Sequence, residues 1–225
     1  MRDRILYCMG AAAILLLGYD VYKIASFPPE AAQGAIFKII FFHVPAAWTA
    51  MVAAFTALIS SILFLVKKDF KYDAIAVAST EVGLAFLAVN LVTGSMWGHV
   101  IWGIWWTWDV RLTSALVCWL LYAGYLMLRH AIEEPTQRAT YAAVFSIFAF
   151  LDVPVVYFSI RLFRTQHPGP VFLSSGGSFP PDWTMILLLN WIALLMLGII
   201  MTLVRLGHEE TQREIDYVRR MAHAL

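Results

Sequence analysis

From Ile39 to Val66 the chain runs twenty-eight residues without one Asp, Glu, Lys or Arg. About 20 apolar residues are enough to cross a hydrocarbon core about 30 Å thick as a helix. Lipid offers no water to backbone N–H and C=O groups, so such a segment must close its hydrogen bonds on itself, and an α-helix does so. Five further stretches read the same way: Ile5–Ile24, Ala74–Met96, Ser114–Arg129, Ala139–Phe163, interrupted by Asp152 and Pro154, and Trp183–Val204. The 225 residues are 61% hydrophobic and 14% charged, against about 45–50% and about 25% in soluble domains. The sequence therefore predicts an all-α polytopic membrane protein with six transmembrane helices, residues 1–225 forming one membrane domain. A soluble globular domain and a disordered chain are excluded. A net charge of +1 is not that of a nucleic-acid binder, which needs a basic excess.

Arg2 and Arg4 before the first apolar run resemble a signal peptide, but no small-x-small cleavage site follows, so an uncleaved anchor is expected. Orientation follows from Lys and Arg near the spans. Arg2, Arg4, Lys67, Lys68, Lys71, Arg129, Arg138, Arg205, Arg213, Arg219 and Arg220 flank one side, and Lys23, Lys38, Arg111, Arg161 and Arg164 the other. Both termini are thus expected in the cytoplasm. The outer loops are then 25–38, 97–113 and 164–182, longer than the inner connections Lys67–Asp73 and His130–Arg138. Loops held by a rigid scaffold usually carry function. Ser174–Ser178 and Pro180-Pro181 mark an irregular outer loop. In the cytoplasmic tail, 206–225, the residues Ile215, Val218, Ala222 and Leu225 have helical spacing, predicting an amphipathic segment that is either solvated or partner-binding.

Five of the nine Trp fall within one outer loop, at Trp97, Trp102, Trp105, Trp106 and Trp108. Trp at the headgroup level explains one or two per helix end. Five, with Gly98 and Gly103 between them, argue for a flat apolar platform for a conjugated ligand. Trp48, Trp119, Trp183 and Trp191 are scattered and read as core or interfacial. Asp109 either caps the fourth helix or pairs with Arg111, with Thr113 an alternative cap. Arg111 is also able to hold a ligand carboxylate.

Each histidine alone is more often a satisfied side chain than a ligand. His43 and His167, however, share the side of the Trp loop and come from different segments, an arrangement suited to two axial ligands across a tetrapyrrole. His99 is a rival ligand on that side; His130, His208 and His223 lie on the other. Cys8 and Cys118 are isolated and read as small buried hydrophobes, and the absence of CxxC or CxxCH excludes self-attached c-type haem. Ionisable residues within a span are costly. Glu81 is read as a paired structural charge; for Asp152 the structural and ligand-handling readings stand level.

The segment Trp97–Thr113 fits WGxxxWGxWWxWDxRLT. It resembles the WWD signature of the haem-handling membrane proteins of cytochrome c maturation. The ending WDxRLT, the six spans and the short length resemble the CcmC family within that group, and HVPAAW around His43 is a second match. The resemblance implies haem b, transiently bound as cargo at the periplasmic face of a bacterial inner membrane. It implies His43 and His167 as axial ligands, and a platform of Trp97, Trp102, Trp105, Trp106, Trp108 and Asp109. It further implies delivery to the haem chaperone CcmE, with CcmD and the ABC-type pair CcmA and CcmB as partners, and no enzymatic activity. Arg111, with Arg161 and Arg164, is expected to meet the propionates. Two other classes compete. An electron-transfer cytochrome b would need histidine pairs deeper in the membrane. A transmembrane haem exporter would want polar residues at mid-depth, for which Glu81 and Asp152 are thin support, and often an internal repeat.

Overall fold

The computed structural model describes residues 2–169 and 179–223. Ser174–Ser178 and Leu225 lie outside them. Seven helices follow in order: α1 Arg2–Ser26, α2 Ile40–Lys67, α3 Phe70–Trp102, α4 Val110–Ala131, α5 Pro135–Phe150, α6 Asp152–Leu162 and α7 Pro181–His223, with a 3-10 turn at Ala35–Ile39 leading into α2. They make six spans, because α5 and α6 together form one. The protein is a multi-pass, all-helical membrane protein. The spans alternate between two ends: a tryptophan end, where α3 stops and α4 starts, and a terminal end, where α1 starts and α7 stops.

Helix starts are marked by acidic side chains that accept otherwise unpaired backbone N–H groups. Asp69 accepts from Lys71 N at 3.0 Å, Asp109 from Leu112 N at 2.9 Å, and Glu134 from Thr136 N and Gln137 N at 2.9 and 2.5 Å. Pro135, at the first position of α5, has no N–H to lose. The central pair is α2 and α3, whose facing surfaces are largely alanine: Ala46, Ala50, Ala53 and Ala57 on one, Ala74 and Ala78 on the other. Small residues let two helices approach closely where lipid gives no hydrophobic drive for association. α7 packs on α1, α2 and α3; α5 packs on α2 and α4; α6 packs on α4.

Two expectations need correction, the end of the third span and the burial of Cys8. The third span does not stop at Met96. It continues to Trp102, because nothing breaks the helix before Gly103, which adopts φ 76° and donates its N–H to His99 O at 3.1 Å. The irregular segment is therefore Gly103–Asp109, and Trp97 and Trp102 are helical. The fifth span carries the interruption expected at Asp152 and Pro154: it is two helices, broken at Leu151, where the N–H shifts to Phe148 O at 3.1 Å. Pro154 follows in the first turn of α6, with no N–H for a bond four residues back. Cys8 is exposed on α1, although Cys118 is buried. The tail residues Ile215, Val218 and Ala222 are the direct continuation of α7, which runs unbroken for 43 residues.

A cluster of charges at the terminal end of the bundle is paired. The Arg129 guanidinium grips Asp73 with two bonds, Nη1–Oδ1 at 2.6 Å and Nη2–Oδ2 at 3.1 Å. Arg213 Nη2 donates to the same carboxylate at 2.6 Å. Glu209 joins Arg213 and Arg205 at 3.4 and 3.2 Å, and Arg205 grips Glu81 with both Nε and Nη2. Glu81 is thus a structural ion pair.

Candidate functional site

Pro45 sits inside α2 and has no N–H, so the Phe41 carbonyl one turn earlier is left without its helical donor. Asn190 of α7 supplies that donor through Nδ2. Around it Phe41, Phe37, Ile24, Trp183, Ile186 and Leu187 form an apolar cluster. This fixes the tryptophan end of α2 and with it His43.

His43 Nδ1 lies 3.0 Å from Thr93 Oγ1. The Thr93 hydroxyl donates its own proton to Val89 O at 2.7 Å, so it accepts from Nδ1–H, and the imidazole carries its lone pair on Nε2. Asn90 Nδ2 donates to the His43 carbonyl at 3.0 Å. The same nitrogen stands 3.2 Å from both ring nitrogens, which puts it over the ring face. Gly94 closes the other contact: a Cβ there would stand 3.0 Å from His43 Cε1, so only glycine leaves the ring in place.

His167 follows α6 in an irregular segment. Its Nδ1–H donates to Pro168 O at 2.9 Å, again leaving the lone pair on Nε2. Burial lowers its pKa to about 4, and the Arg111 charge adds to this, outweighing the Pro168 bond and the Asp109 carboxylate. The imidazole is neutral at physiological pH. Asp109 positions this segment: Oδ2 accepts from Thr165 Oγ1 at 2.5 Å and from Gln166 N at 3.2 Å, and Thr165 Oγ1 accepts from His167 N at 3.1 Å. Burial acts to raise the Asp109 pKa, but the bonds from Leu112 N–H, Thr165 and Gln166 hold it below the usual carboxylate range.

His43 and His167 line one open cavity of about 330 Å³, within the roughly 300–1,000 Å³ typical of small-molecule sites. Trp97, Trp102 and Trp106 also line it, as do Arg111 and Arg161. Trp97 and Trp102 meet edge to face at 4.9 Å, and Trp97 Nε1 donates to Gln33 Oε1 at 2.8 Å. The Trp106 Nε1–H is buried without a partner among the described residues. Arg111 Nη1 donates to Val156 O at 2.9 Å.

The other expected residues stand outside this cavity. Trp105 and Trp108 are 58% and 77% exposed. Trp105 stacks on His99 at 4.0 Å and 3°, and Trp108 meets Trp106 edge-on at 6.2 Å. His99 is exposed and does not line the cavity. Asp109 caps α4, as one of its two readings expected, and Thr113 does not. Arg164 shares a separate shallow pocket with Trp108, Asp109 and Thr165. Sequence reasoning missed Asn90, Thr93, Gly94, Gln33 and Thr165. Their roles depend on neighbours 47 to 64 residues away in the chain, so no local motif marks them.

The model of the CcmC family, described as heme exporter protein C, matches residues 1–221. Heme exporter protein C of Bradyrhizobium diazoefficiens is 34% identical over 222 residues, covering 98% of this chain and 84% of its own length. That of Escherichia coli K12 is 29% identical over 198 residues, covering 88% and 80%. A ccmC-like mitochondrial protein of Marchantia polymorpha, named for cytochrome c biosynthesis, is 34% identical over 140 residues, covering 62% and 59%. With the six spans and the cavity at the tryptophan end, these matches establish that the chain belongs to the CcmC, heme exporter protein C, family.

Proposed function

We propose that this protein holds haem b as cargo at its tryptophan end, with His43 and His167 as axial ligands, and delivers it to the chaperone CcmE for cytochrome c maturation. One observation carries the reading. Two imidazoles from different helical segments line one cavity, each with Nδ1–H engaged, and Nε2 of His43 is approached by Asn90 Nδ2 from over the ring face at 3.2 Å. Histidine ligands characteristically donate the other ring N–H to a neighbouring acceptor, which fixes tautomer and direction. Bound haem supplies an iron with two axial positions. The chain supplies the two nitrogens, the indole walls Trp97, Trp102 and Trp106, and the Arg111 guanidinium for a propionate. Trp105 and Trp108 complete the platform on its solvent side, and Asp109 holds the His167 segment.

This function sets the tryptophan end at the periplasmic face of a bacterial inner membrane and both termini in the cytoplasm, in agreement with the Lys and Arg bias. CcmD, CcmA and CcmB are the remaining partners. The sequence has no GxxxxGK[ST], so ATP hydrolysis belongs to a partner. The names of the matched relatives describe an exporter, not an enzyme.

The test is the absorption spectrum of the purified protein titrated with haem. A low-spin, bis-imidazole spectrum at one haem per chain is expected; a high-spin spectrum, or none, overturns the assignment. Thr93→Val keeps the side-chain shape and removes the acceptor of His43 Nδ1–H. It should weaken haem binding about 10–100-fold, the usual cost of losing an outer-shell partner, while the spectrum of the saturated protein stays low-spin. Equal affinities in the two titrations would show that Thr93 does not orient the ligand.

A further inference from the structure

The cavity is deeper than two axial ligands require. Along α2 its lining runs from His43 to Ala54, and along α4 from Arg111 to Tyr122. Each path is eleven residues, or about 16 Å at the helical rise, roughly half of a hydrocarbon core about 30 Å thick. The floor lies where Ala54, Cys118, Tyr122 and Val153 come together. Small side chains, Ala47, Ala50 and Ala115, keep the shaft open above it.

The break at Leu151 changes which helix flanks α2 along this shaft. Below the break α5 packs on α2. Above it α6 packs on α4 and makes almost no contact with α2. Met51 on α2 and Tyr157 on α6 both line the cavity and are 38% and 46% exposed. At this depth what lies outside the bundle is lipid.

We propose that the cargo enters from within the bilayer, passing sideways between α2 and α6 beneath the tryptophan end, and rises along the shaft to the two histidines. The route rests on the haem-site reading above. Its chemistry suits a planar amphiphile: apolar walls carry the ring, and Arg111 and Arg161, both on the lining, draw the carboxylates toward the headgroup level. The continuity of the shaft with the ligand cavity is what ties this route to the cargo and not to an arbitrary lipid.

The test uses the full chain in phosphatidylcholine vesicles, with haem delivered by mixing with haem-loaded vesicles of the same lipid. Met51→Trp narrows the proposed entrance at an exposed position that the fold tolerates, and Tyr157→Ala widens it. Loading, read by stopped-flow absorbance, should slow roughly tenfold in Met51→Trp and quicken in Tyr157→Ala, with the final low-spin spectrum unchanged in both. A wild type that shows the bis-imidazole spectrum while both variants load at its rate overturns the route alone. A wild type that takes up no haem removes the site and the route together.

Discussion

A His43→Ala or His167→Ala protein is expected to lose the low-spin haem spectrum, with affinity falling by more than the roughly 10–100-fold that an outer-shell change costs. The two variants should differ in what remains. His43 is held from three sides, by Thr93, Asn90 and Gly94. His167 rests on an irregular segment tied to Asp109. In His167→Ala the remaining imidazole keeps its direction, so a five-coordinate, high-spin haem should persist at raised concentration. In His43→Ala the ligand left behind sits on the less supported side, and residual binding should be weaker. Exogenous imidazole should restore the low-spin spectrum in both, because the vacated volume opens onto a cavity. Unchanged spectra in both variants would eliminate these ligands and turn attention to His99.

Asp73→Ala is expected to destabilise the fold by about 3–5 kcal/mol, the cost of leaving one partner of a buried ion pair alone. Asp73 is 4% exposed and takes two bonds from Arg129, itself 6% exposed, and a third from Arg213. Without that carboxylate, the ion pair left to Arg129 among the described residues is with Glu209 at 3.9 Å. The effect should appear as a lower unfolding midpoint in detergent, read by circular dichroism or by exposure of Cys118 to a thiol reagent. The double variant Asp73→Leu with Arg129→Met should recover much of the loss, since replacing both partners leaves no uncompensated charge. A single variant as stable as wild type would mean that water reaches Arg129. Haem affinity in the folded fraction should be unchanged, because this network is at the opposite end from the cavity.

The six spans were legible because each rests on a local property, twenty or so apolar residues with few charges. Where a helix ends was less legible. The Trp-Gly pairs at Trp97-Gly98 and Trp102-Gly103 look alike in sequence, yet Gly98 is helical and Gly103 takes φ 76° and ends the helix. What separates them is packing: the edge of the Trp102 ring occupies the space beside Gly98, 3.1 Å from where a Cβ would stand. His43, His167 and the lining tryptophans were legible as residue types with a chemistry. Their supports were not, because Asn90, Thr93 and Gln33 are ordinary polar residues until the bundle brings them to a partner. Glu81 shows the same division. Its cost within a span was plain, but its partner Arg205 lies 124 residues further along.

The carbonyl freed by Pro45 has a consequence for timing. Its donor, Asn190, lies on α7, which follows both His43 and His167 in a chain synthesised from its N-terminus. The apolar cluster over Phe41 likewise draws Trp183, Ile186 and Leu187 from that span. A nascent chain that already exposes His43 and His167 therefore still lacks the clamp that fixes the first of them. On the proposed haem-site reading, cargo meeting such a chain would find a half-built seat, and secure loading would wait until α7 has inserted.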